Sequence, residues 1–371
     1  MDIKNFKTYT NESGFNTPTN LLCKLCPKDV QSGGTCSFFA EGNNPGCLKE
    51  DYYIECTYDV VANRDSGGTI INFPVTKLYA SNTFGATAMT IDGGESIALT
   101  TGHTFDAEGE HTVKFYKGSK FTSLGRNPFS ACTRLTSVKG LGDITGLTTA
   151  SPLTNNGVFR GCTKLKSVDF SNKCKKISAY AFFGCSSLTD VGDMSGLEEV
   201  DYDGFLNCVS LKKINLSYKL KKVGEKSFMN CSNLEYIGDL RGLQENVVTQ
   251  YPDGAFNECV IIKQKIILIS LTNINRYLFR NCSSIPEIYI ENCLSIQQET
   301  LSGCINLAKI TINCTEPPQL LKTGDCSACR DAFDDTGNCP IYVPEESVQA
   351  YKTATNWTRY ASRIKPMKKY R

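Results

Sequence analysis

One short residue pattern, repeated along most of the chain, constrains the fold more than any other feature. Residues 182–191 read Phe-x-x-Cys-x-x-Leu-x-x-Val. Similar patterns occur at Phe129/Cys132/Leu135/Val138, Phe159/Cys162/Leu165/Val168, Phe205/Cys208/Leu211/Ile214, Phe228/Cys231/Leu234/Ile237, Phe256/Cys259/Ile262, Phe279/Cys282/Ile285/Ile288 and Leu301/Cys304/Leu307/Ile310. A fixed order of aromatic, thiol and aliphatic residues that returns in this way indicates internal repeats.

The spacing of the eight cysteines gives the period of the repeat. They stand at 132, 162, 185, 208, 231, 259, 282 and 304, so the steps are 30, 23, 23, 23, 28, 23 and 22 residues. Twelve residues after a cysteine comes a further apolar position, which is occupied by Cys174, Leu197, Leu220, Leu243, Leu271 and Leu294. One unit cannot bury so many apolar groups, whereas stacked units cover each other. The sequence therefore predicts a mainly β leucine-rich solenoid of about eight 23-residue units with short helical turns.

The segment 165–170 reads Leu-x-x-Val-x-Phe, which is typical of a short strand with one buried face. Corresponding strands of neighbouring units should pair in a parallel sheet, about 4.8 Å apart. The residues between the apolar positions should then face outward, and they are Lys166, Asp169, Lys212, Asn215, Glu287, Tyr289, Lys309 and Thr311. Both charge signs and one tyrosine occur among them, so we expect neither a field of one sign nor an aromatic platform. The candidate partner-binding residues on this face are Lys166, Asp169, Lys212, Asn215 and Tyr289.

Two steps of the repeat are longer than the others, and both lengthen just after a Gly-Leu pair. The additional residues fall largely within Thr148–Gly157 and within Gln244–Gly254. The two loops should therefore project from the same edge of the stack, about 20 Å apart at strand spacing. Insertions on one face of a repeat protein often mark its binding face, although long surface loops are also tolerated without a function. The candidate partner-binding residues in these loops are Asn155, Asn156, Gln250 and Tyr251.

The repeat resembles a known family. Its unit is similar to Ala-Phe-x-x-Cys-x-x-Leu-x-x-Ile, with Ala181-Phe182 and Ala255-Phe256 at its start, as in the leucine-rich repeats of the BspA-like type, a bacterial surface class. The resemblance covers about residues 121–366. It implies a non-enzymatic binding or adhesion role, with no catalytic residues and no cofactor. Some early units depart from the family pattern and read Gly-Asp-x-x-Gly-Leu, at 142–147, 192–197 and 238–243.

The 371 residues are predicted to form four parts. They are a cysteine-rich N-terminal segment at 1–60, a small β module at 61–120, the solenoid at 121–315 and a C-terminal cap at 316–371. Thr69–Phe73 and Thr112–Tyr116 have the composition of strands, which favours a small β-sandwich or a simpler meander for the module. In the cap, Trp357 and Tyr360 should lie over the open end of the core, because the last unit has no neighbour. We expect residues 1–60 to attach the protein to other chains of a larger assembly.

The chain has 19 cysteines, which different contexts explain. The eight in the repeat and Cys174 are predicted to be small buried hydrophobic residues with free thiols. Stacked cysteines have parallel side chains, which suits a disulfide poorly, and free thiols indicate synthesis in a reducing cytoplasm. Two other groups leave zinc binding open beside free thiols or disulfides: Cys23, Cys26, Cys36 and Cys47, and Cys314, Cys326, Cys329 and Cys339.

Several function classes find no support in the sequence. The net charge of +2 gives no general attraction to nucleic acid or to anionic membranes. No run approaches 18 apolar residues, and Met1–Lys7 lacks the apolar core of a secretion signal, so we expect neither a membrane span nor a signal peptide. Nucleophile elbows, phosphate loops and zinc-protease motifs are absent. His103 and His111 are expected to be surface residues, with a metal pair as the alternative.

These observations predict a non-enzymatic interaction protein without cofactors. A rigid repeat scaffold would present a surface to a protein or glycan on a host or partner. The carrier is predicted to be a larger particle assembled in the cytoplasm, such as a bacteriophage virion, where the chain would serve as a fibre, decoration or host-attachment protein. The alternative is a BspA-like adhesin that is secreted or displayed on a bacterial cell.

Overall fold

A computed structural model of the chain describes residues 8–10, 16–18, 52–80, 84–125, 127–147, 157–244, 254–322 and 330–368. Strands and turns make up nearly all of these residues. The strands before the repeats are β1 (Thr8–Thr10), β2 (Asn16–Pro18), β3 (Tyr53–Val60), β4 (Asn63–Arg64), β5 (Ile70–Asn72), β6 (Thr76–Lys77), β7 (Ala88–Ile91), β8 (Gly102–His103) and β9 (Gly109–Tyr116).

The strands of the repeats are short, because each coil turns corners between them. They are β10 (Leu135–Lys139), β11 (Ser167–Val168), β12 (Lys176–Ile177), β13 (Glu199–Val200), β14 (Lys213–Leu216), β15 (Lys222–Val223), β16 (Tyr236–Gly238), β17 (Ile266–Leu268), β18 (Asn273–Ile274), β19 (Glu287–Glu291), β20 (Ser295–Gln297), β21 (Lys309–Asn313), β22 (Gln319–Leu321), β23 (Ile341–Val343) and β24 (Ile364–Pro366). Within the described residues, the helix α1 (Val348–Thr353) lies between the 3₁₀ turns Glu345–Ser347 and Thr358–Arg363.

The strands confirm the predicted solenoid and show that each coil contributes to two parallel ladders. The first ladder contains the pairs β10–β11 and β14–β16 and the five-stranded sheet β17-β19-β21-β23-β24. The second ladder contains β12-β13-β15 and β18-β20-β22. Only the first ladder was predicted as strands. The apolar residues of the second ladder, such as Val200, are isolated among polar neighbours and give no strand pattern on their own.

A column of phenylalanine rings runs through the core along the axis of the solenoid. The seven rings are fully buried and belong to Phe129, Phe159, Phe182, Phe205, Phe228, Phe256 and Phe279. Successive ring centroids are 5.0 to 5.4 Å apart, and their planes lie within 16° of each other. Stacked aromatic pairs contribute about 0.5–1.5 kcal/mol each beyond the burial of their area. The sequence repeats with this period because the phenylalanine of each coil stacks on the phenylalanine at the same position of the next coil.

The cysteines form a second column beside the rings, and each thiol has a hydrogen-bond acceptor. Cys185 Sγ donates to the carbonyl oxygen of Phe159 at 3.0 Å, and Cys208 Sγ donates to that of Phe182 at 3.1 Å. The same bond, at 2.9 to 3.3 Å, is made by Cys162, Cys231, Cys259, Cys282 and Cys304 to the phenylalanine of the preceding coil. All eight repeat cysteines and Cys174 are buried and unbridged, as predicted.

A third ladder of hydrogen bonds joins the coils where the chain turns around the phenylalanine. The N–H of Phe182 donates to the carbonyl of Gly204 at 2.8 Å, and the N–H of Gly184 donates to that of Leu206 at 2.9 Å. The residue before the cysteine has a φ of 56° to 80° in all eight coils, and it is Ala131, Gly161, Gly184, Asn207, Asn230, Glu258, Asn281 or Gly303. Glycine and asparagine predominate there because they tolerate the left-handed conformation. We call this turn, from the phenylalanine to the residue after the cysteine, the phenylalanine edge.

The first ladder is interrupted in the coil of Cys259, which has one additional residue before its strand. Strands β16 and β17 are therefore not paired, and the side chain of Gln264 makes hydrogen bonds to β16 in place of the backbone. Its Oε1 accepts from the N–H groups of Ile237 and Gly238 at 2.9 and 3.2 Å, and its Nε2 donates to the carbonyl of Gly238 at 2.7 Å. A side-chain amide has the same donor and acceptor as the backbone, so it completes the ladder across the gap.

The N-terminal module is continuous with the first ladder. Its sheet has the order β7-β9-β3-β10-β11, and β3 pairs with β10 in the antiparallel direction. The rings of Phe84 and Phe115 lie 5.2 and 6.3 Å from that of Phe129, so the module covers the first coil. Strand β3 lies before residue 61, yet it pairs with β9 along its whole length. The sheet of the module therefore begins within residues 1–60, because β3 pairs with a strand that lies about 50 residues later in the chain.

The C-terminal part, which was predicted to be a cap, contains a ninth coil. β23 pairs with β21, and β24 pairs with β23. Phe333 and Thr336 stand where earlier coils have phenylalanine and cysteine, and the Thr336 hydroxyl donates to the carbonyl of Phe333 at 2.7 Å. Trp357 is 1% exposed, packs against Phe333 at 5.6 Å and donates its indole N–H to the carbonyl of Pro318 at 2.7 Å. The tryptophan thus lies over the last coil.

One predicted core position is wrong. Leu294 was expected to fill the apolar position twelve residues after Cys282, but it is 68% exposed. Cys293 is buried there instead, at 3% exposure, and its thiol donates to the carbonyl of Ser295 at 3.1 Å. The coil of Cys282 reaches the second ladder one residue earlier than the coils before it, so the buried position moves back by one residue.

The stacked column predicts a large loss of stability when one ring is removed. Phe205→Ala should lower the free energy of unfolding by about 3–5 kcal/mol, because it leaves a cavity between two rings in a packed core. Phe205→Leu should cost less, because leucine fills the same position at Leu301 in the eighth coil. Urea unfolding followed by circular dichroism measures both changes. The control is Phe183→Ala, a half-buried ring outside the column, and an equal loss in that variant would contradict the role of the column.

Candidate binding surfaces

The outer face of the first ladder carries the predicted candidates Lys166, Lys212 and Asn215. All three are exposed. The carbonyl of Lys166 accepts from the N–H of Thr189 at 2.9 Å, and the carbonyl of Lys212 accepts from that of Glu235 at 2.9 Å. The backbone of these residues is thus fixed by the next coil while their side chains point into solvent. Lys166 lies two coils from Lys212 and Asn215, about 10 Å away at strand spacing.

Asp169, on the same face, is bonded within the protein. Its carboxylate oxygens accept from the backbone N–H groups of Gly140 and Leu141 at 2.8 and 2.9 Å. These two residues follow β10 and have left the ladder, so their N–H groups need another acceptor. The side chain therefore fixes the chain after the first strand of the solenoid.

Tyr289 lies on the first ladder three coils beyond Asn215, and its hydroxyl is bonded to neighbours. The distances are 3.1 Å to Glu291 Oε2 and 3.1 Å to Asn313 Nδ2. The strand register aligns Tyr289 with Thr311 and Thr311 with Tyr342. Tyr342 thus lies on the same face as Tyr289, two strands away and about 10 Å distant. Tyr342 was not among the predicted outward residues because it belongs to the ninth coil, which the repeat pattern did not predict.

The second ladder carries a network of charges that crosses three coils. Lys176 Nζ lies 3.0 Å from both Glu199 and Asp201, and Lys222 Nζ contacts Glu199 and lies 3.0 Å from Asp201. Burial raises the pKa of Glu199, but the hydrogen bonds and charges of Lys222 and Lys176 lower it more, to about 2. Because the two signs alternate between coils, this face stabilises the stack and presents no field of one sign.

A groove of about 430 Å³ lies along the phenylalanine edge. Its lining comes from four consecutive coils, those of Cys185, Cys208, Cys231 and Cys259, and comprises Gly184, Ser186, Asn207, Val209, Asn230, Ser232, Glu258 and Val260. Each coil contributes the residue before its cysteine and the residue after it. Asn230 Nδ2 donates to Asn207 Oδ1 at 2.8 Å, and Asn281 Nδ2 donates to Glu258 Oε1 at 2.6 Å. The groove was not predicted, although glycine and asparagine before the cysteine were a visible signal for a turn there.

Several predicted candidates lie outside the described residues. They are Asn155, Asn156, Gln250 and Tyr251 of the two long loops, and Cys23, Cys26, Cys36 and Cys47 of the N-terminal segment, together with Cys326 and Cys329. Both the loop surface and the zinc alternative therefore remain predictions. Within the part of the chain that the structure describes, no three His, Cys, Asp or Glu residues are placed to hold a metal ion.

The prediction that both histidines lie on the surface is wrong for His111. This residue is 9% exposed, and its ring nitrogens lie 2.7 Å from Asp92 Oδ2 and 3.0 Å from the carbonyl of Ala107. It faces inward because β9 alternates in burial and His111 shares the buried side with Val113 and Phe115. His103 packs its ring at 4.7 Å from that of Phe105.

The helices in the described part of the chain are short. None of those in the described residues is both long and apolar enough to cross a membrane.

Comparison with known proteins identifies the repeats. The BspA type leucine-rich repeat region matches residues 154–245 and 242–317, with six copies. No curated protein matches the sequence.

Three solved structures are similar to parts of the chain. A leucine-rich repeat protein from T. pallidum is 23% identical, with 46% of this chain and 83% of that chain covered and a TM-score of 0.31. One from Bacteroides ovatus is 16% identical, with 72% and 90% covered and a TM-score of 0.31. A leucine-rich cell surface protein from Faecalibacterium prausnitzii is 16% identical, with 81% and 97% covered and a TM-score of 0.27.

The charge network predicts a pH dependence of stability. The pKa of Glu199 is lowered from 4.5 to about 2 on folding, so its contribution is complete above pH 4.5 and is lost as the pH falls toward 2. Glu199→Gln should therefore make the free energy of unfolding less dependent on pH in this range. Lys222→Met removes one partner and should raise the midpoint of the Glu199 carboxyl, measured by carbon-13 NMR. A wild-type midpoint near 4.5 would contradict the network.

Proposed function

We propose, from the premise that residues 154–317 of this chain belong to the BspA type of leucine-rich repeat, that the protein is a non-enzymatic scaffold that binds a partner through the outer faces of its coils. The observation that best supports the proposal is the groove along the phenylalanine edge. It spans four coils, and in each of them the backbone N–H of the residue before the cysteine is fixed by the third ladder.

The rigidity of the coils supports this function. Three hydrogen-bonded ladders and two side-chain columns hold each coil to the next, so the outer surface is formed before a partner arrives. A preformed surface binds with a smaller loss of conformational entropy than one that must become ordered. The volume of the groove, about 430 Å³, also lies in the range of ligand sites in proteins.

The proposal predicts saturable binding without turnover. The labelled full chain, incubated with a panel of intact bacteria, should bind at least one strain and leave its surface components unaltered. Val209→Trp fills the groove from a position that has an ordinary backbone conformation, and it should weaken binding by about tenfold or more. Thr163→Trp is the matched control, because Thr163 occupies the same position after the cysteine in a coil outside the groove. Equal binding by both variants, or no saturable binding to any strain, would contradict the proposal.

We further propose that the chain is part of a larger particle such as a bacteriophage virion, in which it serves as a fibre, decoration or host-attachment protein. Residues 1–60 would contact the other chains of the particle. The support is the state of the cysteines, because the thirteen in the described residues are buried and unbridged. Such a state suits a protein that is assembled in a reducing cytoplasm.

The second candidate is an adhesin on the surface of a bacterial cell, and the family favours it because BspA-type repeats are typical of bacterial surface proteins. Mass spectrometry of native material separates the two. The virion proposal predicts the chain in purified particles, with its repeat cysteines alkylated only after denaturation. Detection of the chain on intact cells, and its absence from particles of the same culture, would replace the virion with the adhesin.

A further inference from the structure

We propose that the groove of the phenylalanine edge binds a neutral, linear oligosaccharide that runs along the axis of the solenoid. This inference rests on the proposed function, since it names the class of ligand that the scaffold would hold.

The lining of the groove repeats with the coils. One row contains Gly184, Asn207, Asn230 and Glu258, and the other contains Ser186, Val209, Ser232 and Val260. Successive coils are about 4.8 Å apart, so the rows extend over about 14 Å from the first coil to the fourth. A ligand that lies in the groove must therefore be elongated, and a ligand with its own repeat can make the same contacts on each coil.

The charges of the lining favour a neutral ligand. Neither Lys nor Arg belongs to it, and Glu258 supplies the single carboxylate. A phosphate chain or an acidic peptide would thus meet no positive charge in the groove. The remaining polar groups are amides and hydroxyls, which recognise hydroxyl groups by donating and accepting hydrogen bonds.

The asparagine side chains are held in place and retain hydrogen-bonding capacity. The bond from Asn230 Nδ2 to Asn207 Oδ1 joins two coils, yet each amide has two N–H donors and two acceptor lone pairs. The backbones of both residues are fixed, because their N–H groups donate to the carbonyls of Met229 and Asn257 at 3.0 Å. Val209 and Val260 add apolar area against which the C–H face of a sugar ring can pack. The groove therefore offers both kinds of contact that a sugar requires.

The spacing of the coils distinguishes a sugar chain from a peptide. An extended peptide advances by about 3.3 Å per residue, so it loses register with the coils after one step. It would also need backbone donors and acceptors at an open strand edge, whereas the N–H groups before the cysteines are already used in the third ladder. In a β-linked hexose chain, the advance per sugar is close to the distance between neighbouring coils. Each sugar can thus meet the same pair of rows.

Calorimetric titration of the full chain tests this inference. The probes are β-1,4-linked glucose, N-acetylglucosamine and mannose oligosaccharides of two to eight sugars. At least one series should bind, with an affinity that rises with length up to about four or five sugars and then stays constant, because the groove spans four coils.

Two variants locate the site. The double variant Asn207→Gly with Asn230→Gly removes both amides and preserves the backbone, because glycine occupies the same left-handed position at Gly161, Gly184 and Gly303. Its affinity for the bound series should be at least about tenfold lower, as expected for the loss of two or more hydrogen bonds. Asp335→Gly is the matched control, because Asp335 occupies the equivalent left-handed position in the ninth coil, at a φ of 54°. The affinity of this variant for the oligosaccharide should equal that of the wild type. Circular dichroism confirms that both variants are folded.

The possible failures have different meanings. If none of the three series binds, while Val209→Trp still abolishes binding to bacteria, the groove is used but its ligand is not a neutral oligosaccharide; the inference then fails and the proposed function stands. Binding that does not depend on length, or that survives in the double asparagine variant, would place the sugar elsewhere and overturn the inference. If the wild-type chain binds neither bacteria nor sugars, the proposed function fails as well.

Discussion

The hydrogen bond from a cysteine thiol to the phenylalanine carbonyl of the preceding coil is the interaction on which the structure depends. That carbonyl has two lone pairs, and the N–H of the cysteine in its own coil uses only one, at 3.0 Å for Phe182. The second faces a dry core, where an unmet polar group is costly. The thiol is small and apolar enough to be buried and still has a proton to donate. Burial also keeps it protonated, since it raises the pKa of Cys231 to about 12. Valine or alanine would fill the space but leave the second lone pair of the carbonyl without a donor.

This bond links the chemistry of the core to the shape of the surface. It holds each phenylalanine edge against the next one, and the residue before the cysteine must then adopt a left-handed conformation to complete the turn. Glycine and asparagine are therefore selected at that position by the fold, and in the coils of Cys208 and Cys231 the asparagine side chains also line a groove. Residues needed for the turn thus become a row of hydrogen-bonding groups on the outside, at the spacing of the coils.

The two ends of the stack are closed in different ways. At the first coil the thiol of Cys132 has no preceding phenylalanine, and it donates to the carbonyl of Leu78 in the N-terminal module at 3.5 Å. At the last coil Thr336 replaces the cysteine and Trp357 covers Phe333. The final strand, β24, ends in Lys365 and Pro366. A charge and a residue without an N–H make a poor edge for pairing with another strand.

The sequence alone determined the solenoid, its period and its buried columns, because each of these depends on a side chain that recurs at a constant interval and contacts its own copy. It also indicated the outward position of Lys166 and Lys212 and the burial of the thiols. It did not reveal the ninth coil, because Thr336 and a changed spacing replace the cysteine pattern, or the pairing of β3, because the partners of β3 are strands distant in sequence. The groove and the tyrosine pair of Tyr289 and Tyr342 were decided only by the tertiary structure. Each combines residues from different coils, 53 positions apart for the two tyrosines and up to 76 for the groove, and only the register of the stack determines which of them share a face.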